Sequence, residues 1–131
     1  MRYIGKIDKR KFSDISNNIL TNEVVLTDER EVHIKLRHTN DYELFELYAT
    51  EIVENPDIIL EDGKNIGTVF MIKKLPGTNL NVVVRLVLEN ENPNLKNSVM
   101  TFYRIRNTNL KKLIKKIKRF TKTNKCDIIS V

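Results

Sequence analysis

The chain has 131 residues, of which 40% are hydrophobic and 31% are charged. These proportions exclude an intrinsically disordered or fibrous chain, and the length predicts one globular domain over residues 1 to 131. The single cysteine, Cys126, excludes an intramolecular disulfide, and we expect a reducing, cytoplasmic setting. No apolar run is long enough to predict a secretion signal or a membrane span, so we expect no membrane partner.

The net charge of +6 is unevenly distributed along the sequence. Residues 1 to 101 carry 13 basic and 16 acidic side chains, whereas residues 102 to 131 carry 10 basic side chains and one acidic side chain. A basic segment of this kind favours a polyanionic partner, of which nucleic acid is the commonest for a soluble chain. A basic face that is merely solvated is the structural alternative.

Two short strands and two helices are predicted in the first half of the chain. The strands lie at residues 2 to 7 and 24 to 26. Thr27 is a good N-cap for a helix over residues 28 to 38, in which Val32 and Leu36 are one turn apart. A second helix begins after Asn40 or Asp41 and ends before proline 56. Its apolar stripe consists of Leu44, Phe45, Tyr48, Ile52 and Val53.

Beyond residue 56 the apolar pattern changes to the alternation that is typical of strands. Four strands are predicted at residues 58 to 60, 66 to 74, 80 to 88 and 98 to 105, joined as an antiparallel meander. Helices followed by such strands predict an α+β fold, with the N-terminal helices packed on one face of a four-stranded antiparallel sheet. The opposite sheet face is then left for function. Arg85 stands out because it interrupts an otherwise apolar strand.

An amphipathic basic helix is predicted near the C-terminus, capped by Thr108 or Asn109. Its apolar positions are Leu110, Leu113, Ile114 and Ile117. Its basic positions are Lys111, Lys112, Lys115, Lys116, Lys118 and Arg119. We expect the apolar side to dock on the domain while the lysines recruit RNA phosphates.

Both histidines of the chain lie in one helical segment, with an arginine between them. His33 and Arg37 are one helical turn apart, and His38 follows at the helix end. Histidine can exchange protons near neutral pH, and arginine binds phosphate through two parallel hydrogen bonds. These groups suffice for RNA transesterification without a metal ion. The alternative is that these are surface histidines beside basic residues.

Signals for metals and cofactors are absent from the sequence. The spacing of five between His33 and His38 does not align two ligands on one helix, and no metal-binding motif is present. With four glycines, the chain also has no phosphate-binding glycine loop or dinucleotide fingerprint. We therefore expect neither a metal nor a cofactor.

The order of several short strings over residues 22 to 106 resembles a known family. The strings are His33-Ile34 with Arg37-His38, then Glu54-Asn55-Pro56-Asp57, then Asn97-Ser98-Val99-Met100-Thr101-Phe102. In this order they resemble the phage- and mobile-element-associated nucleases of the barnase/EndoU/colicin/RelE-like superfamily. The resemblance implies a helical part followed by a four-stranded antiparallel sheet that carries an RNA-cleaving site.

The resemblance also implies roles for individual residues and a biological setting. His33, Arg37 and His38 correspond to the motif residues and Thr101 to a hydroxyl residue of the last strand, while Arg85 and Ser98 are weaker assignments. RNA contacts, which the resemblance does not assign, are expected at Lys74, Tyr103, Arg104, Lys111, Lys112, Lys115 and Lys116. Such domains act as toxins or in phage conflict, so RNA and a cognate inhibitor or antitoxin are the expected partners.

Two other functions remain open. One is a non-catalytic nucleic-acid-binding module that uses the basic helix together with Phe70, Phe102 and Tyr103 of the sheet. The other is a protein-interaction domain in which the lysines meet an acidic surface. A membrane-surface role for residues 108 to 120 lacks aromatic anchors other than Phe120.

Overall fold

The structure is a computed structural model that describes residues 1–12 and 18–117. Within these residues it has six strands and three α-helices in chain order. They are β1 (Arg2–Lys6), β2 (Glu23–Leu26), α1 (Asp28–Arg37), α2 (Tyr42–Glu54), β3 (Ile58–Glu61), β4 (Thr68–Leu75), β5 (Thr78–Arg85), β6 (Asn97–Ile105) and α3 (Asn107–Ile117). Short 3₁₀ turns lie at Lys9–Phe12 and Thr39–Asp41.

All six strands form one mixed sheet in the order β1-β2-β6-β5-β4-β3. Every neighbouring pair is antiparallel except β2 and β6, which run parallel. The α+β class is confirmed, but the predicted four-stranded antiparallel sheet is wrong. The four predicted strands form a meander as expected, and the N-terminal hairpin of β1 and β2 extends that meander beside β6.

The parallel pair is tied together by a buried side-chain amide at the start of β6. Asn97 is fully buried, and its Nδ2 donates to the carbonyl of Thr21 at 2.7 Å. Its Oδ1 accepts from the backbone N–H of Val87 at 2.8 Å. This amide joins the segment before β2 to the segment after β5, so it fixes where β6 begins.

The larger core lies between the sheet and α2. The Phe45 and Phe102 rings meet edge to face with centroids 5.3 Å apart. Ile52 and Val53 of α2 are fully buried against the same sheet face, and Leu44 and Tyr48 are partly buried beside them. The predicted apolar stripe of this helix is therefore confirmed.

The N-cap predicted for α1 is confirmed, but its two apolar residues spaced by one turn do not face the core. The Thr27 hydroxyl accepts from the N–H of Arg30 at 3.3 Å, as expected of an N-cap. Val32 and Leu36, however, are 54% and 76% exposed, and Ile34 is the buried residue of the helix. Their spacing of one turn identifies a shared helix side but not which side faces the core.

The helix α3 packs on the sheet face opposite α2, over a second and smaller core. Leu110 and Ile114 of α3 are buried there together with Ile58, Leu60, Ile72 and Ile105, and Leu113 is partly buried. Docking through this stripe is confirmed, whereas the helix begins at Asn107, one residue before the predicted cap Thr108. The side chain of Ile117 and the residues Lys118, Arg119, Phe120 and Cys126 lie outside the described residues.

A bulge in β6 changes which of its residues share a face. Ser98 lies opposite Arg85, while Thr101 lies opposite Val83, so the register shifts between these pairs. Arg85 and Val83 point to the same face, and directly opposed residues share a face. Regular alternation would put Ser98 and Thr101 on opposite faces, but the extra residue in the bulge reverses the alternation, so the two residues share a face.

No helix among residues 1–12 and 18–117 is long and apolar enough to span a membrane.

Removal of the anchor of α3 tests the second core. Leu110 is 1% exposed, so we expect Leu110→Ala to lower the free energy of unfolding by about 2 to 3 kcal/mol through the loss of buried contacts. Lys112→Ala, on the exposed side of the same helix, should change it by less than about 0.5 kcal/mol. Urea denaturation measures both variants, and an equal effect would contradict this packing.

Candidate functional site

The C-terminal end of α1 brings His33, Arg37 and His38 together, as the helical spacing predicts. The helix ends at Arg37, and the backbone N–H of His38 donates to the carbonyl of Ile34 at 2.8 Å. His33 and His38 are half-buried, whereas Arg37 is exposed. All three groups therefore lie at one end of the helix with access to solvent.

The turn after α1 contacts two consecutive residues of β6. The ring centroids of His38 and Tyr103 are 6.2 Å apart, and Arg104 Nε lies 2.8 Å from Asp41 Oδ1. Consecutive strand residues point to opposite faces, so the turn wraps around the strand edge. It can do so because β2 pairs only with the first two residues of β6, Asn97 and Ser98.

The surroundings of His38 favour its neutral form. Burial lowers the pKa of His38 below its ordinary value. The Asp41 carboxylate opposes this shift in pKa, whereas His33 and Arg37 add to it through their positive charges. A neutral imidazole at physiological pH can accept a proton, which is the first requirement of a general base.

Tyr103, whose ring lies near that of His38, carries a protonated hydroxyl group. Burial raises the pKa of the Tyr103 phenol, and the neighbouring Asn81 amide offsets part of that rise. Asn81 lies directly across from Tyr103 in β5 and is fully buried. Neither polar atom of its side chain has a hydrogen bond of good geometry within the described residues, which costs about 1 to 3 kcal/mol for a buried polar group. A costly buried polar group of this kind beside Tyr103 is typical of a functional surface.

The remaining residues that the resemblance assigns to catalysis are spread along the sheet. Thr101 lies on the same face as Tyr103, two residues earlier in β6. Arg85 and Ser98 lie opposite each other near the far end. The partners of Tyr103 and Ser98 are four residues apart along β5, roughly 13 Å. The structure thus separates Arg85 and Ser98 from the histidines.

Arg85 has structural partners at this far end. Its Nη2 lies 3.0 Å from Glu91 Oε2, and its Nη1 donates to the carbonyl of Leu86. The Glu91 carboxylate also accepts from the backbone N–H of Leu88 at 3.0 Å. These bonds explain the arginine in an apolar strand, because it holds the segment after β5.

Most residues assigned to RNA binding lie on or near α3. Lys111, Lys112, Lys115 and Lys116 are exposed on α3. Tyr103 packs against the same small core that anchors this helix. The ring of Tyr103 therefore connects the histidines of α1 to the basic helix. Lys74 lies at the end of β4, near the first turns of α3.

Two residues of this region were not assigned by sequence reasoning. Asp41 was interpreted as a helix cap, but its side chain makes no capping hydrogen bond and instead binds Arg104. The sequence patterns give Asn81 no role, although an asparagine between Leu80 and the three valines of β5 is a visible anomaly. Within the described residues, no group of three or more histidine, cysteine, aspartate or glutamate side chains is placed to hold a metal ion.

No protein family model, curated protein or solved structure matches this chain at a significant level.

Replacement of Asp41 tests the electrostatics of the site. Because the Asp41 charge raises the pKa of His38, Asp41→Asn should lower that pKa further, whereas Glu43→Gln on the exposed first turn of α2 should leave it unchanged. An NMR titration of the His38 imidazole measures the shift. A higher pKa in Asp41→Asn would contradict the assignment.

The lowered pKa of His38 predicts how the stability of the fold depends on pH. Folding lowers the pKa of His38, so between the folded pKa and the ordinary value of 6.5 the unfolded chain binds the proton more readily. The contribution of this group to stability is therefore fully present above about pH 6.5 and is lost as the pH falls through this window.

Proposed function

We propose that this protein is an endoribonuclease that cleaves RNA by internal attack of a 2′-hydroxyl group, at a site formed by His38, Tyr103 and the residues around them. The observation that supports this best is the contact between His38 and Tyr103. His38 favours its neutral form. Tyr103 packs on the small core that anchors α3, and α3 carries four exposed lysines.

In the proposed reaction, His38 accepts the proton of the 2′-hydroxyl, and the 2′-oxygen forms a bond to the adjacent phosphorus. The bond between phosphorus and the 5′-oxygen breaks, and the imidazolium of His33 donates a proton to the departing oxygen. The products are a 2′,3′-cyclic phosphate and a 5′-hydroxyl. The two proton transfers use only His38 and His33.

Charge on the phosphate oxygens increases during attack and requires donors. The Tyr103 hydroxyl is protonated near neutral pH, and its raised pKa keeps it so, which allows it to donate. Arg104 is bound to Asp41 through Nε, which leaves both Nη atoms for a two-point contact with phosphate. Arg37 is exposed beside His38 and supplies a second guanidinium group.

A second candidate function is RNA binding without cleavage. The exposed lysines of α3 favour it, as does the separation of Arg85 and Ser98 from the histidines. This function requires the basic helix but not His38, so the two candidates differ in one residue that can be replaced. A toxin role with an inhibitor that covers the basic helix belongs to the nuclease candidate.

Cleavage of RNA in the presence of a chelator tests the nuclease. We expect the full chain to produce 2′,3′-cyclic phosphate ends, and His38→Ala to slow cleavage by about a hundredfold or more. Leu36→Ala is the matched control, since the side chain of Leu36 is 76% exposed on the same helix. Full activity of His38→Ala, or 5′-phosphate ends formed only with magnesium, would refute the proposal.

Replacement of the α3 lysines tests RNA recruitment. Lys111, Lys112, Lys115 and Lys116 are to be changed together to glutamine. We expect weaker binding to single-stranded RNA and a flatter salt dependence, by up to about 0.7 in the logarithmic slope for each lysine that contacts a phosphate. Fluorescence anisotropy at several salt concentrations measures both quantities. Unchanged binding at every salt concentration would exclude RNA as the partner of this helix.

A further inference from the structure

A small cavity lies where the ends of β4 and β5 meet the first turns of α3. Its volume is about 220 Å³, which leaves room for a tetrahedral anion and a few waters at roughly 30 Å³ per water. The lining residues are Lys74, Leu75, Asn79, Asn107, Leu110 and Lys111. Two lysines and two asparagines thus supply the polar groups, and none of the lining residues is acidic.

The two lysines come from separate elements that the fold holds in place. The backbone N–H of Lys74 donates to Asp57 Oδ2 at 2.7 Å, which fixes the end of β4. Lys111 follows Leu110, whose burial fixes the first turns of α3 against the sheet. The cavity is therefore lined by two lysines whose backbones are held in place by the fold, and positive charge from two elements favours an anion.

The hydrogen bonds of Asn79 determine which side-chain atom of Asn107 remains as a donor. Asn79 is 1% exposed, and its Nδ2 donates to the carbonyl of Ile105 at 3.0 Å and to Asn107 Oδ1 at 2.9 Å. Both hydrogens of the Asn79 amide are thereby used. Since Asn107 accepts through Oδ1, its Nδ2 is left to donate elsewhere in the cavity wall.

We propose that this cavity binds a phosphate group and serves as a subsite for an RNA strand whose cleaved linkage lies at His38. Asn79 pairs with Ile105, which follows Tyr103 by two residues on the same sheet face. The cavity therefore begins roughly 7 Å along β6 from Tyr103. A phosphate bound here fixes the strand while a neighbouring phosphate reaches His38. The role as an RNA subsite rests on the proposed nuclease function, whereas the anion site itself depends only on the cavity.

Titration of the full chain with inorganic phosphate, followed by NMR, tests the anion site. We expect saturable shifts of the Asn107 side-chain amide and the Lys111 backbone amide, and their loss in Lys74→Gln/Lys111→Gln. The matched control is Lys6→Gln/Lys64→Gln, which removes the same charge from exposed positions that neither line the cavity nor belong to the basic helix. It should retain the shifts. Shifts that do not saturate, or that both double variants lose equally, would overturn the site.

Binding of a short single-stranded RNA distinguishes a strand from free phosphate as the ligand. We expect Lys74→Gln/Lys111→Gln to raise the Kd about tenfold and the control pair to raise it about threefold or less. Equal effects of the two pairs would overturn the RNA subsite. If phosphate shifts saturate while RNA binding is unaffected, the ligand is a free phosphate and the strand is excluded.

The same experiments separate this proposal from the nuclease. Saturable phosphate shifts without RNA cleavage would refute the nuclease while the anion site stands. Cleavage by His38 without phosphate shifts would retain the nuclease and overturn the cavity as its subsite.

Discussion

The two cores, on opposite faces of the sheet, both depend on the position of the strand β6. Its consecutive residues Phe102 and Tyr103 enter different cores, one under α2 and the other under α3. At its start, the buried amide of Asn97 holds the segments that precede β2 and follow β5. At its other end the turn after α1 covers an edge that β2 leaves unpaired. A shift of β6 by one residue would move each of its core side chains to the opposite face of the sheet.

Local patterns in the sequence predicted the helices better than the sheet. The Thr27 cap, the α2 stripe around Phe45 and the α3 stripe around Leu110 depend on residues within a few turns of one another, so they are visible in the sequence. The partner of β2 is far away along the chain, and no pattern in four residues specifies it. The bulge around Met100 is equally invisible, because it depends on how β6 pairs with β5.

In the candidate site, too, the sequence predicted the local groupings but not the contacts between distant segments. Sequence spacing placed His33, Arg37 and His38 at one end of a helix, since that grouping is local. Their neighbours Asp41 and Tyr103 could not be identified in this way, because the contacts arise only when the turn after α1 meets β6. Nor could the sequence show that the last strand separates its own serine from its tyrosine by roughly 13 Å along the sheet.

The parallel pairing of β2 with β6 has a consequence for the order in which the chain folds. The amide of Asn97 bonds to Thr21, 76 residues earlier. Contacts between such distant segments carry a large entropic cost of loop closure and form late. During synthesis, β2 and α1 emerge well before the strand that completes their surroundings. His38 then meets Tyr103 only after β6 has been synthesised, so the arrangement proposed for cleavage forms late in the synthesis of the chain.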